Sequence, residues 1–237
     1  MNSFFDSLVC IVPAKTVSQR LPNKNRKPFF RDLSLLDIKI RQLKQLMPAE
    51  NILVVSENDD RADLSRCYGV QFLRLDPTIY DDNVSLRDFF EIVLPSILTL
   101  NLLVAYVTTP YLNQSAIGGM ISQYRSLPPS YDSLVAVTRV QTKLFDHHLQ
   151  PANFGFGFEY KGSQKVAPIF SWIRGVSILS TAVAKKNSLD LGLRPYLFEV
   201  NRIQAIDIDT QADWELATTV AHSPDGERLL GLAPARC

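Results

Sequence analysis

The chain has 237 residues, 46% of them hydrophobic, which suits one large α/β domain with a small appendage better than two independent domains. Its 25 basic and 24 acidic residues nearly cancel, so no chain-wide field points to nucleic acid or an anionic membrane surface. Cys10, Cys67 and Cys237 are odd in number and far apart, against a disulfide framework or thiolate zinc site, and neither a signal peptide nor an apolar run of ~20 residues is seen, so a cytoplasmic setting is expected.

Residues 8–12 (LVCIV) form a short apolar run with a β-branched bias, closed by Pro13, and predict a buried strand. The chain then turns polar: residues 15–27 hold five cations (Lys15, Arg20, Lys24, Arg26, Lys27) and no carboxylate. In open α/β sheets the ligand crevice lies beyond the carboxyl ends of the strands. A basic loop there suits phosphate, because turn N–H groups with fixed Lys and Arg neutralise several oxygens at once. The bland alternative is a solvated basic loop, but an unbroken sign of charge directly after a buried strand is less common than a mixed surface loop.

Leu36, Ile40, Leu43 and Met47 recur at helical spacing, with Lys39, Arg41, Lys44 and Gln45 between them, and predict an amphipathic helix over 33–47, ended by Pro48. A second buried strand follows over 51–56, then a short helix ending near Tyr68 and Gly69, then a strand over 70–73. This βαβ rhythm marks a parallel sheet. After a polar loop, Leu86, Phe89, Phe90, Val93, Ile97 and Leu100 form the apolar face of another helix. Ser85 and Asp88 have the spacing of a capping box at its start. A strand over 102–107, a helix over 113–126 stopped by Pro128 and Pro129, and a strand over 133–138 continue the alternation.

From 140 to 173 the character changes to aromatics, glycines and short alternations. An antiparallel ribbon is expected there, with a turn at Lys161 and Gly162 and with Phe154, Phe156 and Phe158 on one face. A two-stranded ribbon buries such a face poorly by itself, so the face is expected to pack on a partner or on the main sheet. His147 and His148 lie beside Asp146, but neighbours on a strand point to opposite faces, which argues against a shared metal.

Residues 203–216 hold a second informative stretch. Asp207 and Asp209 alternate with Ile206 and Ile208, so on a strand both carboxylates face one side, with Cα atoms about 6–7 Å apart. Two hard oxygen ligands at that spacing suit Mg²⁺, which binds one or two carboxylates plus substrate phosphates. The competing reading is helix capping by Asp209, or by Thr210 with Asp213.

PAKTVSQRLPNKN resembles the signature loop of the acylneuraminate cytidylyltransferase family, PAR-G-G-S-K-R-[IL]-P-x-K-N, at Pro13, Ala14, Ser18, Arg20, Leu21, Pro22, Lys24 and Asn25. Thr16 and Val17 stand where the family usually has two glycines. Asp82 to Ser85 is similar to its D-T-x-S stretch, where the serine lies near the base. IDIDTQADWELA resembles its closing A-I-D-I-D-T-x-x-D-[FW]-x-x-A. Thr108 and Pro110 match its Q-P-T-S-P-L-R, whereas Tyr106, Val107, Tyr111 and Leu112 depart from it.

The resemblance implies a Rossmann-like, mostly parallel α/β sheet of the nucleotide-diphosphosugar transferase type, with a small antiparallel ribbon insertion, in one domain spanning 1–237. It implies a homodimer, with the inserted 140–173 segment as the dimerisation element, and a reaction joining CTP to an acidic sugar with release of pyrophosphate. Lys15, Arg20 and Lys24 would be catalytic. Ala14, Ser18, Asn25 and Ser85 would bind nucleotide, and Asp207 and Asp209 would hold Mg²⁺. LPNKN is closer to the sialic-acid branch than to the 3-deoxy-manno-octulosonate branch, which usually reads LPGKP. The alternative is a nucleotide-binding paralogue that has lost turnover and acts as a scaffold.

Overall fold

The computed structural model describes residues 4–15, 20–21, 24–25, 27–80, 84–156 and 162–232. β1 (Leu8–Pro13) is buried on both faces. Successive side chains of a strand point to opposite sides. Leu8, Cys10 and Val12 therefore enter one apolar cluster while Val9 and Ile11 enter another. A strand buried this way reads as a continuous apolar run rather than an alternation, which is the central-strand pattern of a parallel sheet.

Around β1 the sheet is completed by β2 (Ile52–Ser56), β3 (Gln71–Arg74), β4 (Asn101–Ala105), β5 (Ser133–Val140), β6 (Ile169–Ser180) and β7 (Pro195–Val200). The order is β3-β2-β1-β4-β6-β5-β7. Neighbours run parallel except β6, which is antiparallel to both β4 and β5. The mixed, mostly parallel α/β architecture expected above is therefore present. α1 (Leu35–Lys44), α4 (Gln114–Arg125) and α6 (Gln211–Ala221) pack on one face of the sheet. α3 (Leu86–Val93) and α5 (Thr181–Asn187) pack on the other, while α2 (Asp59–Tyr68) and α7 (Gly226–Leu229) complete the helices.

The chain leaves β1 toward β2 and β3 on one side, then returns to β4 on the other. That reversal is the switch point at which parallel α/β sheets open a crevice beyond the strand ends. The local signals largely hold. Ser34 caps α1 and Ser85 caps α3, each in a reciprocal pair with the Asp three residues on. Gly69, at φ +69°, ends α2 in the left-handed conformation that glycine adopts without a Cβ penalty.

Several expectations need correction. Lys39, read as part of the polar face of the first helix, is fully buried. Fully buried Leu35, Leu36, Ile38, Ile40 and Leu43 on the same helix each contribute about 1.5–3 kcal/mol, enough to carry that desolvation. α3 stops at Val93 because Pro95 cannot continue it, and Leu100 is exposed. Residues 203–209 do not form a strand: Asn201 accepts from the N–H groups of Ile203 and Gln204, making a turn, and the last strand is β7 instead.

The antiparallel pairing between 140 and 173 comes from the outer ends of β5 and β6, where Val140 meets Ile169. Among the described residues between them lie a single bridge, Phe145 to Pro151, and a short 3₁₀ turn, Ser163–Lys165. Phe154 and Phe156 are not on a strand, and their rings gather with Phe145 at centroid separations of 5.2–6.3 Å. Phe158 and Lys161 lie outside the described residues. His147 and His148 also sit in a turn rather than a strand, with ring centroids 3.7 Å apart, so their side chains are neighbours.

Candidate active site

A cavity of about 280 Å³ opens at the switch point. Pro13, Lys15, Lys24 and Asn25 line it from the end of β1 and the basic loop; Ser85, Leu86 and Phe89 from the start of α3; Tyr106, Val107 and Thr108 from the end of β4. One wall is cationic and the other apolar and aromatic, as a nucleotide with its phosphates and base requires.

Lys24 joins the two motifs. Its ammonium donates to the carbonyl of Ile208 at 2.7 Å and to Asp209 Oδ1 at 3.2 Å. Arg20 reaches Asp209 Oδ2 at 3.1 Å. With Arg20 68% and Asp209 42% exposed, that pair contributes at most about 1 kcal/mol. Its meaning is placement: cations from the first loop stand beside the closing acids. Thr210, in a reciprocal pair with Asp213, caps α6, so Asp209 is not used as the cap.

Asp207 is the more informative acid. Burial pushes its pKa above the usual carboxylate range, partly offset by a hydrogen bond with the Thr108 side chain and by Lys24, while Asp209 and Asp213 add like charge. Its Oδ1 is buried and has no hydrogen-bond partner. An unsatisfied buried acceptor is costly, and at a functional site it marks a place for an outside donor or cation. No group of three or more His, Cys, Asp or Glu among the described residues could enclose a metal. Of the pair only Asp207 keeps an oxygen without a partner, since Lys24 and Arg20 take the two Asp209 oxygens. A hard cation such as Mg²⁺, which binds one or two carboxylates plus water and phosphate, suits the Asp207 atom and would have to displace a cation from Asp209.

The nucleotide candidates are placed unequally. Ala14 is buried, and its N–H already donates to Val55 O, so it secures the loop's entry rather than presenting an N–H. Asn25 is buried and donates to Lys15 O, leaving Oδ1 without a partner; that atom suits a hydrogen-bond donor on a ligand, not a phosphate. Ser85 lines the cavity while its hydroxyl is held by Asp88 at 2.7 Å. Ser18, Thr16, Val17, Arg26 and Asp82 lie outside the described residues.

Lys39 and Gln42 support the site from beneath, and the helical pattern hid both. Lys39 donates to Thr109 O at 3.0 Å and Leu112 O at 2.9 Å, and Gln42 donates to Pro110 O at 2.6 Å. They hold the turn after β4, whose Thr108 carbonyl accepts from Ile208 N–H at 2.9 Å. Desolvation lowers the Lys39 pKa from 10.5 to about 7. Between those values the unfolded chain binds this proton and the folded chain does not. Stability therefore rises from pH 7 toward 10.5 and gains nothing from this group below 7. Urea denaturation across that range should show the rise in the wild type and lose it in Lys39→Met; an equal slope in both would reject this role.

A mostly parallel sheet whose switch point gathers cations from one loop and acids from another suits a nucleotide-handling α/β enzyme. A family model described as cytidylyltransferase matches residues 9–153, more than half of the chain, and the chain belongs to that family of CTP-using enzymes. No curated protein matches the sequence. Among solved structures, one titled CMP:2-keto-3-deoxy-manno-octonic acid synthetase complexed with CTP aligns at TM-score 0.63 and 16% identity, covering 90% of this chain and 97% of that one. The 4-diphosphocytidyl-2C-methyl-D-erythritol synthase of Anaerococcus prevotii aligns at TM-score 0.63 and 13% identity, covering 92% and 98%. A cytidylyltransferase from Leptospira borgpetersenii aligns at 0.55 and 14%, covering 91% and 86%. At these identities the likeness is one of fold. No described helix is long and apolar enough to cross a membrane.

Proposed function

We propose that the protein activates an acidic sugar of the nonulosonic, sialic type with CTP, giving the CMP-sugar and pyrophosphate. The observation that carries the reading is the meeting of Lys24 with Asp209, 185 residues apart in sequence, beside the unpartnered Asp207 oxygen. The acceptor class rests on the sialic-type LPNKN loop. The sugar hydroxyl attacks the α-phosphorus of CTP and gives up its proton to solvent, the bond to the β-phosphate oxygen breaks, and pyrophosphate leaves. Little covalent chemistry falls to the protein, so its work is alignment and charge neutralisation.

Lys15, Arg20 and Lys24 neutralise phosphate charge, and Ser18 belongs to the same loop. Asn25 offers Oδ1 to a donor on the nucleotide, and Ser85 positions α3 against the base. Asp207 and Asp209 would hold Mg²⁺, which supplies charge stabilisation at the phosphates. The test is pyrophosphate release from CTP with Mg²⁺ and a panel of nonulosonic acids, with 3-deoxy-manno-octulosonate as comparison. Release with a nonulosonic acid is expected. CTP binding with no release for any acid would instead support a nucleotide-binding scaffold, and failure to bind CTP defeats both.

We also infer a homodimer. Phe145, Phe156 and Phe170, in the 140–173 subregion, are 40–68% exposed, an apolar surface that a second copy would cover. Light scattering at micromolar concentration should give twice the chain mass; a monomer there retires the idea.

A further inference from the structure

Tyr106 lines the cavity, yet its hydroxyl points away from nucleotide chemistry, donating to Asp190 Oδ2 at 3.1 Å. Ser177 donates to the same oxygen at 3.2 Å. Asp190 is only 2% exposed, and its Oδ1 has no partner. This buried group fixes the Tyr106 ring, and on that ring lies Arg174, its guanidinium 5.5 Å from the centroid and 5.9 Å from that of Trp172. Arg174 is exposed. Its partners among the described residues are the Tyr106 hydroxyl, by a hydrogen bond, and the buried Asp190 carboxylate, which attracts it without an ion-pair contact. A guanidinium carries five N–H donors in a planar fork, so one bond to Tyr106 leaves the others for a planar anion.

The backbone brings this cation to the site. The β5 to β6 pairing shifts register between Val135 and Ala136, opposite residues 174–176, and such irregularities re-aim side chains beside active sites. Gly175 allows the approach: a Cβ there would lie 2.6 Å from Thr109 Oγ1 and 2.9 Å from Leu112 Cδ2. The Gly175 carbonyl then accepts from Tyr106 N–H at 2.8 Å, while two residues later the Thr108 carbonyl accepts from Ile208 N–H. One short segment, the turn after β4, thus joins Arg174 at one end to the Asp207 acid at the other.

We propose that Arg174, on its Tyr106 and Trp172 platform, is the subsite for the acceptor's carboxylate; the assignment rests on the acidic-sugar reading above. Asp190 is a positioning residue that acts through Tyr106. A bidentate guanidinium–carboxylate contact recognises the planar acid group and not its amide.

The experiment compares wild type with Arg174→Gln and Arg174→Lys, using nonulosonic acids and their carboxamides. In Arg174→Gln the acceptor KM should rise at least ~10-fold with the CTP KM within about twofold. The preference for acid over carboxamide should collapse, and Arg174→Lys should restore part of it. An unchanged acceptor KM, or both KM values rising together, overturns the subsite while leaving the activity standing. Calorimetry of the acids on the CTP-loaded protein separates the two ideas. Weaker binding in Arg174→Gln with no turnover even in wild type keeps the subsite and refutes the activity, and no binding of any acid refutes both.

Discussion

Asp207→Asn is expected to lower Mg²⁺-dependent kcat/KM by at least about 10²-fold, the scale of losing one preorganised electrostatic contact to a transition state. The same change should leave the melting temperature unchanged or raise it. The carboxyl is partly buried, its pKa is raised chiefly by that burial, and Oδ1 has no partner. The folded state holds this proton to higher pH than the unfolded chain. Its ionisation therefore costs stability above the folded pKa, and no such cost exists below the unfolded value of 3.8. An amide removes the cost. Residues that weaken a fold while serving its chemistry have this signature. Calorimetric melting beside a pyrophosphate assay over a Mg²⁺ series decides it; full activity with unchanged metal dependence would end the metal assignment. Asp209→Asn should also lose turnover without unfolding, because Thr210 rather than Asp209 caps α6.

Lys24→Met should lower kcat/KM by about 10²–10³-fold and weaken CTP binding, with a small change in stability. Methionine fills most of the space of a side chain that is 11% exposed. It removes the donors to Ile208 O and Asp209, but Asp209 keeps Arg20 and considerable solvent contact. The loss should therefore fall on the phosphates rather than on the fold. Guanidinium denaturation together with CTP calorimetry separates the two. A large stability loss with CTP affinity preserved would make Lys24 a structural link between the loops.

By itself the sequence determined what depends on short-range pattern. Buried strands announced themselves as apolar runs at residues 8–12 and 51–56, because a strand covered on both faces has no polar side. Helix starts were legible where the residue chemistry is local: Ser85 with Asp88, and Thr210 with Asp213, cap as their spacing requires. The basic loop and the acid pair were likewise visible as motifs. Only the tertiary structure decided how they are used. Asp207 and Asp209 differ because burial, Thr108 and two cations act on them through space, and no alternation along 206–209 contains that difference. Lys39 looked solvent-facing because its side chain is charged, although its helical neighbours Leu35, Leu36 and Leu43 lie on the buried face. It is buried because the carbonyls of a turn some 70 residues away accept its donors. Asp190 and Arg174 carry no motif at all. Their roles arise from β6 running antiparallel into the sheet and from Gly175 letting it approach the β4 turn, contacts between segments that a linear pattern does not encode.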